Sequence, residues 1–151
     1  MLKKTVTYED WNGRTRTEDF YFNLTRTECA ELEYGLVPGK SLSDSFQIFV
    51  ESNDIAEIIK AMKEVVLKAY GVKSEDGRRF MKNDEIRTAF LESPVFDEIY
   101  MELATDSDKA ADFLVNIMPK EAVENLGPNP KQGLLNQTKN VLKDSNSLLN
   151  N

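Results

Sequence analysis

Hydrophobic and polar residues alternate along both arms of the opening segment. Val6 and Tyr8 share one side of the first arm, and Phe20, Phe22 and Leu24 share one side of the second. That period of two marks strands with one covered face. Between the arms lies Trp11-Asn12-Gly13-Arg14. Asn-Gly at this place predicts a hairpin closed by a type I′ turn, because both residues tolerate positive φ. Thr25 with Glu28 three positions later is a capping box: each side chain satisfies an orphan backbone donor of a new helix. The chain therefore opens as hairpin, then helix, with an aromatic face that needs cover.

Helical spacing dominates the chain from Thr25 onward. Thr25 to about Tyr34 predicts a short helix stopped by Gly35 and Pro38-Gly39. After a polar connector at Ser41–Ser45, Leu42, Phe46, Phe49 and Val50 give the spacing of a second short helix, and Asn53-Asp54 recaps the chain. Ile55, Ile58, Ile59, Met62, Val65, Val66, Ala69 and Tyr70 then form one continuous stripe, with Glu57, Lys60, Lys63 and Glu64 opposite. Gly71 stands where a helix stop is expected. Val72–Phe80 reads as a turn around Asp76-Gly77, a tight-hairpin signal. Three further helices are expected. Asn83 or Asp84 caps one with Ile86, Phe90 and Leu91 inward; Ser93-Pro94 opens one with Phe96, Ile99, Tyr100 and Leu103 inward. Asp106 or Ser107 starts the third, which carries Ala110, Ala111, Phe113, Leu114 and Ile117 up to Pro119. A weak helix at Glu121–Leu126 ends in Gly127-Pro128-Asn129-Pro130. The fold class is thus α+β and mostly α: a β-hairpin on a bundle of about five to six helices, with a flexible C-terminal tail. Residues 1–127 form the globular domain and residues 128–151 the tail.

Composition narrows the chemistry. The 151 residues are 40% apolar and 30% charged, with one cysteine and no histidine. No apolar run approaches the ~20 residues of a membrane span, and Met1-Leu2-Lys3-Lys4 leads into a strand pattern, not a signal-peptide core. The protein is expected to be cytoplasmic. The lack of histidine removes Ser-His and Cys-His nucleophile pairs, imidazole metal sites and the commonest general base. Cys29 alone forms neither an internal disulfide nor a thiolate metal site, and reads as a small packing residue. Two acidic groupings invite a metal reading. Ser74-Glu75-Asp76-Gly77 lacks the spaced acids and distal Glu of an EF-hand and reads as a solvated turn. Asp106-Ser107-Asp108 reads as acids favoured by a helix N-terminus. Catalytic residues, cofactors and metals are all expected to be absent. The formal net charge is −7 with a sequence pI near 4.7, which disfavours a phosphate-backbone partner.

The tail differs in composition from the rest. Its three lysines against Asp144 give +2, which leaves −9 on residues 1–127. Leu134-Leu135, Val141-Leu142 and Leu148-Leu149 recur every seven residues and would place three apolar pairs along one side of a helix. Two readings stay open: a disordered tail, or a segment that folds onto a partner helix or groove.

Three separated stretches, TVTYEDWNGRTRTEDFYFNLT, IIKAMKEVVLKAYGVKSEDGRRF and FLESPVFDEIYMELATDSDKAADFLVNIMPKE, occur in this order over most of residues 5–121. Together they resemble the tail assembly chaperones encoded by long-tailed phages and prophages of Gram-positive bacteria. The resemblance implies a non-enzymatic protein that binds the tape measure protein, with the tail tube protein as a further partner, and that is absent from the mature virion. It also implies that a longer form can arise by ribosomal frameshifting. It does not extend past Pro128. The runner-up reading is an acidic inhibitor or nucleic-acid mimic acting on a host factor, but Lys and Arg are interleaved with the acids through most of the body. A carboxylate-only enzyme and a structural virion subunit come after these.

Overall fold

A computed structural model of the chain describes residues 1–40, 44–45, 48 and 51–124. Strands β1 (Leu2–Glu9) and β2 (Thr15–Phe22) form the opening hairpin, and α1 (Arg26–Leu36) follows. The long helix α2 (Ile55–Ala69) runs directly into β3 (Tyr70–Lys73), and β4 (Phe80–Met81) returns beside it. Four helices complete the described part: α3 (Asp84–Glu92), α4 (Pro94–Thr105), α5 (Ser107–Ile117) and α6 (Lys120–Glu124). The strands make one antiparallel sheet in the order β1-β2-β3-β4. The expected hairpin-plus-helices architecture is present, and the turn expected at Asp76-Gly77 is the connection of a second, short hairpin that widens the sheet.

The first hairpin closes differently from the type I′ expectation. Gly13 alone takes positive φ; Asn12 does not. The Asp10 carbonyl accepts from the Gly13 amide, and the Asp10 amide donates to Arg14 O. The Asp10 carboxylate also accepts from the Asn12 and Arg14 amides and from Arg16 Nε. An aspartate that satisfies this many donors makes a left-handed Asn12 unnecessary. Two glycines also depart from expectation. Gly35 lies inside α1, and the left-handed residue after that helix is Gly39. Gly71 is no helix stop, since Tyr70 already has extended backbone. It is glycine because the β4 side chains crowd it: a Cβ there would meet the Phe80 ring at 2.8 Å.

One face of the sheet is covered. β1 alternates half-buried Leu2, Lys4, Val6 and Tyr8 with exposed Lys3, Thr5, Thr7 and Glu9. Strict pairing, Leu2 with Phe22 and Lys4 with Phe20, puts the aromatic positions of β2 on the same side. Phe22 is the centre. Its ring meets Phe113 edge-on at 5.3 Å, Tyr70 at 5.7 Å and Phe90 at 5.9 Å, while Tyr70 stacks on Phe90 at 4.0 Å. Sheet and helices are thus joined through rings whose burial is worth about 1.5–3 kcal/mol each. The expected inward residues of α5 (Ala110, Ala111, Phe113, Leu114 and Ile117) are all buried, and so are Ile58, Val65, Val66 and Ala69 of α2. Ile59 and Leu91 are not: both are substantially exposed at the margins of their stripes. Asn83 caps α3 as expected, through Ile86 N. Ser93 precedes α4 but makes no cap for it, because its hydroxyl donates backwards to Phe90 O. The expected helix over Leu42, Phe46, Phe49 and Val50 falls outside the described residues, although Asp44, Ser45, Ile48 and Glu51 have helical backbone.

Gly71→Ala should destabilise the protein by about 1–3 kcal/mol in urea denaturation, the cost of overpacking. Gly35→Ala, where added atoms meet nothing within 4 Å, should be neutral or stabilising by up to about 1 kcal/mol. Equal effects at the two positions would refute the steric account of Gly71.

Candidate functional site

The most constrained polar cluster lies where β2 ends. The Asn23 amide donates to Ala69 O, and the Leu24 amide to Ile117 O, so two helix C-termini converge on this extended segment. Thr25 then starts α1 with the expected capping box, in which Glu28 N donates to Thr25 Oγ1 and the Thr25 amide donates to the Glu28 carboxylate. Lys82, just after β4, reaches into the same place. Its Nζ donates to Asn23 O at 2.6 Å, Lys68 O at 2.8 Å and Glu28 Oε2 at 2.8 Å. An ammonium has three donors, and all find acceptors here. Burial is the dominant influence on this amine and draws its pKa below the ordinary lysine value, against the opposing pull of Glu28. With the ammonium, the capping carboxylate and two carbonyls all partnered inside the fold, the cluster is a structural tie.

Sequence reasoning missed Lys82. Its acceptors lie 14 to 59 positions away in the chain, and a lysine between a short strand and a helix cap carries no periodic signal. Glu102 was missed for the same reason. It holds Lys4 at 2.8 Å and Lys109 at 3.0 Å, joining β1, α4 and α5. Burial would raise the Glu102 carboxyl, but the two ammoniums outweigh it and hold the group below its usual range. Lys68 pairs with Glu31 at 2.6 Å and clamps α1 to α2.

Other residues singled out in the sequence occupy plain structural roles. Cys29 is half-buried, and burial foremost pushes its thiol up to about 11, with Glu33 and Glu28 adding to the effect. A thiol so disposed is a poor nucleophile. Asp76 accepts from the Ser74 hydroxyl and the Arg78 amide, which shapes the turn and lowers its pKa. Asp106 caps α5 by accepting from the amides of Asp108 and Lys109. Among the described residues no group of three His, Cys, Asp or Glu side chains could hold a metal ion, and no helix is long and apolar enough to cross a membrane.

Two grooves lie on the surface formed by the described residues. One, of about 540 Å³, runs beside β1 between Leu2–Thr7 and the α4 residues Glu98, Ile99 and Glu102. The other, of about 310 Å³, lies among α1, α2 and Arg87 of α3. Trp11 at the hairpin tip is 80% exposed, yet its Nε1 donates to Glu92 O and ties the tip to the end of α3. The expected partner-binding residues Leu134, Leu135, Val141, Leu142, Leu148 and Leu149 lie outside the described residues.

A family model described as phage tail assembly chaperone matches residues 1–148. The chain belongs to the phage tail assembly chaperone family. The match runs past Pro128, where the resemblance seen in the sequence stopped, and takes in most of the tail. No curated protein and no solved structure matches the chain.

Replacing Lys82 with Met should cost about 1.5–3 kcal/mol, because it leaves the half-buried Glu28 carboxylate and two carbonyls without their donor. The Glu28→Gln/Lys82→Met pair should cost clearly less than the sum of the two single changes, and a loss below about 1 kcal/mol for Lys82→Met would contradict this reading. The Cys29 shift predicts a second outcome. Alkylation follows the thiolate, so the folded chain should react slowly at pH 9 and its rate should rise with a midpoint near 11, whereas the urea-unfolded chain should show its midpoint near 9. Coincident profiles would contradict the burial.

Proposed function

We propose that this chain is a non-catalytic chaperone that binds the tape measure protein and keeps it soluble until the tail tube encloses it, with the tail tube protein as a second client. It acts in the cytoplasm of the infected cell and leaves with neither product, so it is absent from the mature virion. The observation that carries this reading is the family match over residues 1–148, which spans the body and nearly all of the tail. Membership makes tail assembly the process. The tape measure protein is the client we infer, because long helical proteins with apolar stripes aggregate unless covered.

Division of labour follows from composition. The body, residues 1–127, carries −9 and contributes charge repulsion that keeps a complex dispersed. The tail, residues 128–151, offers the heptad-spaced pairs Leu134-Leu135, Val141-Leu142 and Leu148-Leu149 as contact surface. An Asn-rich helix of this length is marginal in water, so the tail gains its order from the partner. The rival reading as an acidic mimic fits less well. Lys4 and Lys109 flank Glu102, Lys68 meets Glu31 and Arg16 meets Asp10, so cations interrupt the acidic surface that a mimic would keep unbroken.

Co-expression with the tape measure protein of the same genome tests the function. The expected result is a soluble client that co-purifies with this chain; a client that stays insoluble, with nothing captured, would move the inhibitor reading ahead. In the same assay, replacing Leu135, Leu142 and Leu149 with Ser should lower capture about tenfold or more while the melting temperature of the chain stays unchanged. Undiminished capture would shift the contact surface from the tail to the body.

A further inference from the structure

Among the described residues the sheet is paired further on neither side, and its longer free edge is unusual. β1 pairs with β2 through all eight of its residues without a bulge or proline, while among the described residues nothing pairs with its other edge. Strands average five to six residues, and exposed edges are ordinarily short, bulged or charged to prevent association. β1 has an inward lysine, Lys4, of the kind that blunts an edge, but Glu102 at 2.8 Å neutralises it. A groove of about 540 Å³ runs along Leu2–Thr7 between this edge and α4.

We propose that β1 pairs antiparallel with β1 of a second copy of this chain, joining two sheets into one about a two-fold axis at Val6. The main-chain pattern allows it. The Asp10 amide donates to Arg14 O across the hairpin, and hydrogen-bonded and open pairs alternate along an antiparallel ladder. Leu2, Lys4, Val6 and Tyr8 therefore turn their main-chain groups to β2, and Lys3, Thr5, Thr7 and Glu9 turn theirs to the free edge. Directly opposed residues share a face, so only registers that match covered face with covered face keep the aromatic side on the helices.

Charge selects among those registers. Centring on Val6 places Lys3 of each copy opposite Glu9 of the other, twice by symmetry, and Thr5 opposite Thr7. Centring on Thr5 instead would set Lys3 against Thr7 and leave Glu9 outside the ladder. Within one chain these two charges are poorly served: Lys3 has Asp19 only at 3.9 Å, and Glu9 forms no ion pair among the described residues. On the covered side the Val6-centred register brings the two Val6 side chains together and sets Lys4 opposite Tyr8. The surface is therefore complementary to itself in hydrogen bonds, in face and in charge. An isologous contact of this kind is the commonest route to a dimer.

Sedimentation equilibrium of the full chain over a wide concentration range tests the proposal. A reversible dimer is expected. Thr7→Pro should abolish it, since the lost N–H faces away from β2, whereas Thr7→Ala, which gives up the same 2.9 Å hydroxyl contact with Thr17 but keeps the N–H, should leave the dimer intact. Glu9→Lys should weaken association about tenfold or more through repulsion by Lys3, and Lys3→Glu combined with Glu9→Lys should restore it. Because the restoring variant must fold to score, a folding defect cannot mimic the result. A chain that is monomeric at every concentration, a dimer that Thr7→Pro leaves intact, or edge amides protected only by a co-expressed tail protein would each overturn self-pairing, the last by assigning the edge to a foreign strand.

Discussion

The fold depends on one half-buried ammonium. Lys82 Nζ closes a junction in which the end of β2, the end of α2, the start of α1 and the segment after β4 all meet. Removing the lysine would leave Glu28 and the carbonyls of Asn23 and Lys68 in a half-buried place with no donor to replace it. Glu28 has two duties at once, since the same carboxylate also completes the α1 capping box. A surface capping box contributes modestly; tied to Lys82 it fixes the direction in which α1 leaves the sheet. The aromatic cluster around Phe22 then packs against elements whose ends are already held.

Much of this was legible in the sequence because it rests on local chemistry. The hairpin arms, the capping box, the α2 stripe and the inward face of α5 all follow from periodicity and from side chains that bond their own neighbours. The features that were not legible depend on contacts between distant positions. Val72–Phe80 reads as a turn because two-residue and four-residue strands are too short to show alternation, and only pairing with β2 makes them strands. Gly71 looked like a helix stop, and its real constraint is the Phe80 ring, nine positions away. The Asp10 side chain took over a turn that Asn12-Gly13 would otherwise have built alone.

The functional reading divides in the same way. Family membership was visible from three ordered stretches, and the family model extends it across residues 1–148. In the described body the half-buried Lys82 ammonium is partnered internally, and burial pushes the Cys29 thiol up to about 11. The physical assets of the chain are its net negative charge, a β1 edge unpaired among the described residues and the heptad-spaced apolar pairs of the tail sequence. Each is suited to holding another protein. A self-paired edge would present two tails per assembly, and two linked contacts on one long helical client raise the effective affinity of each.

Hydrogen exchange on the full chain, alone and in complex with co-purified tape measure protein, tests the central claim most directly. The account predicts that residues 134–149 exchange freely in the isolated chain and gain protection in the complex, while protection of the Phe22-centred core is unchanged. Protection gained only within residues 1–124, with the tail equally exposed in both states, would contradict it.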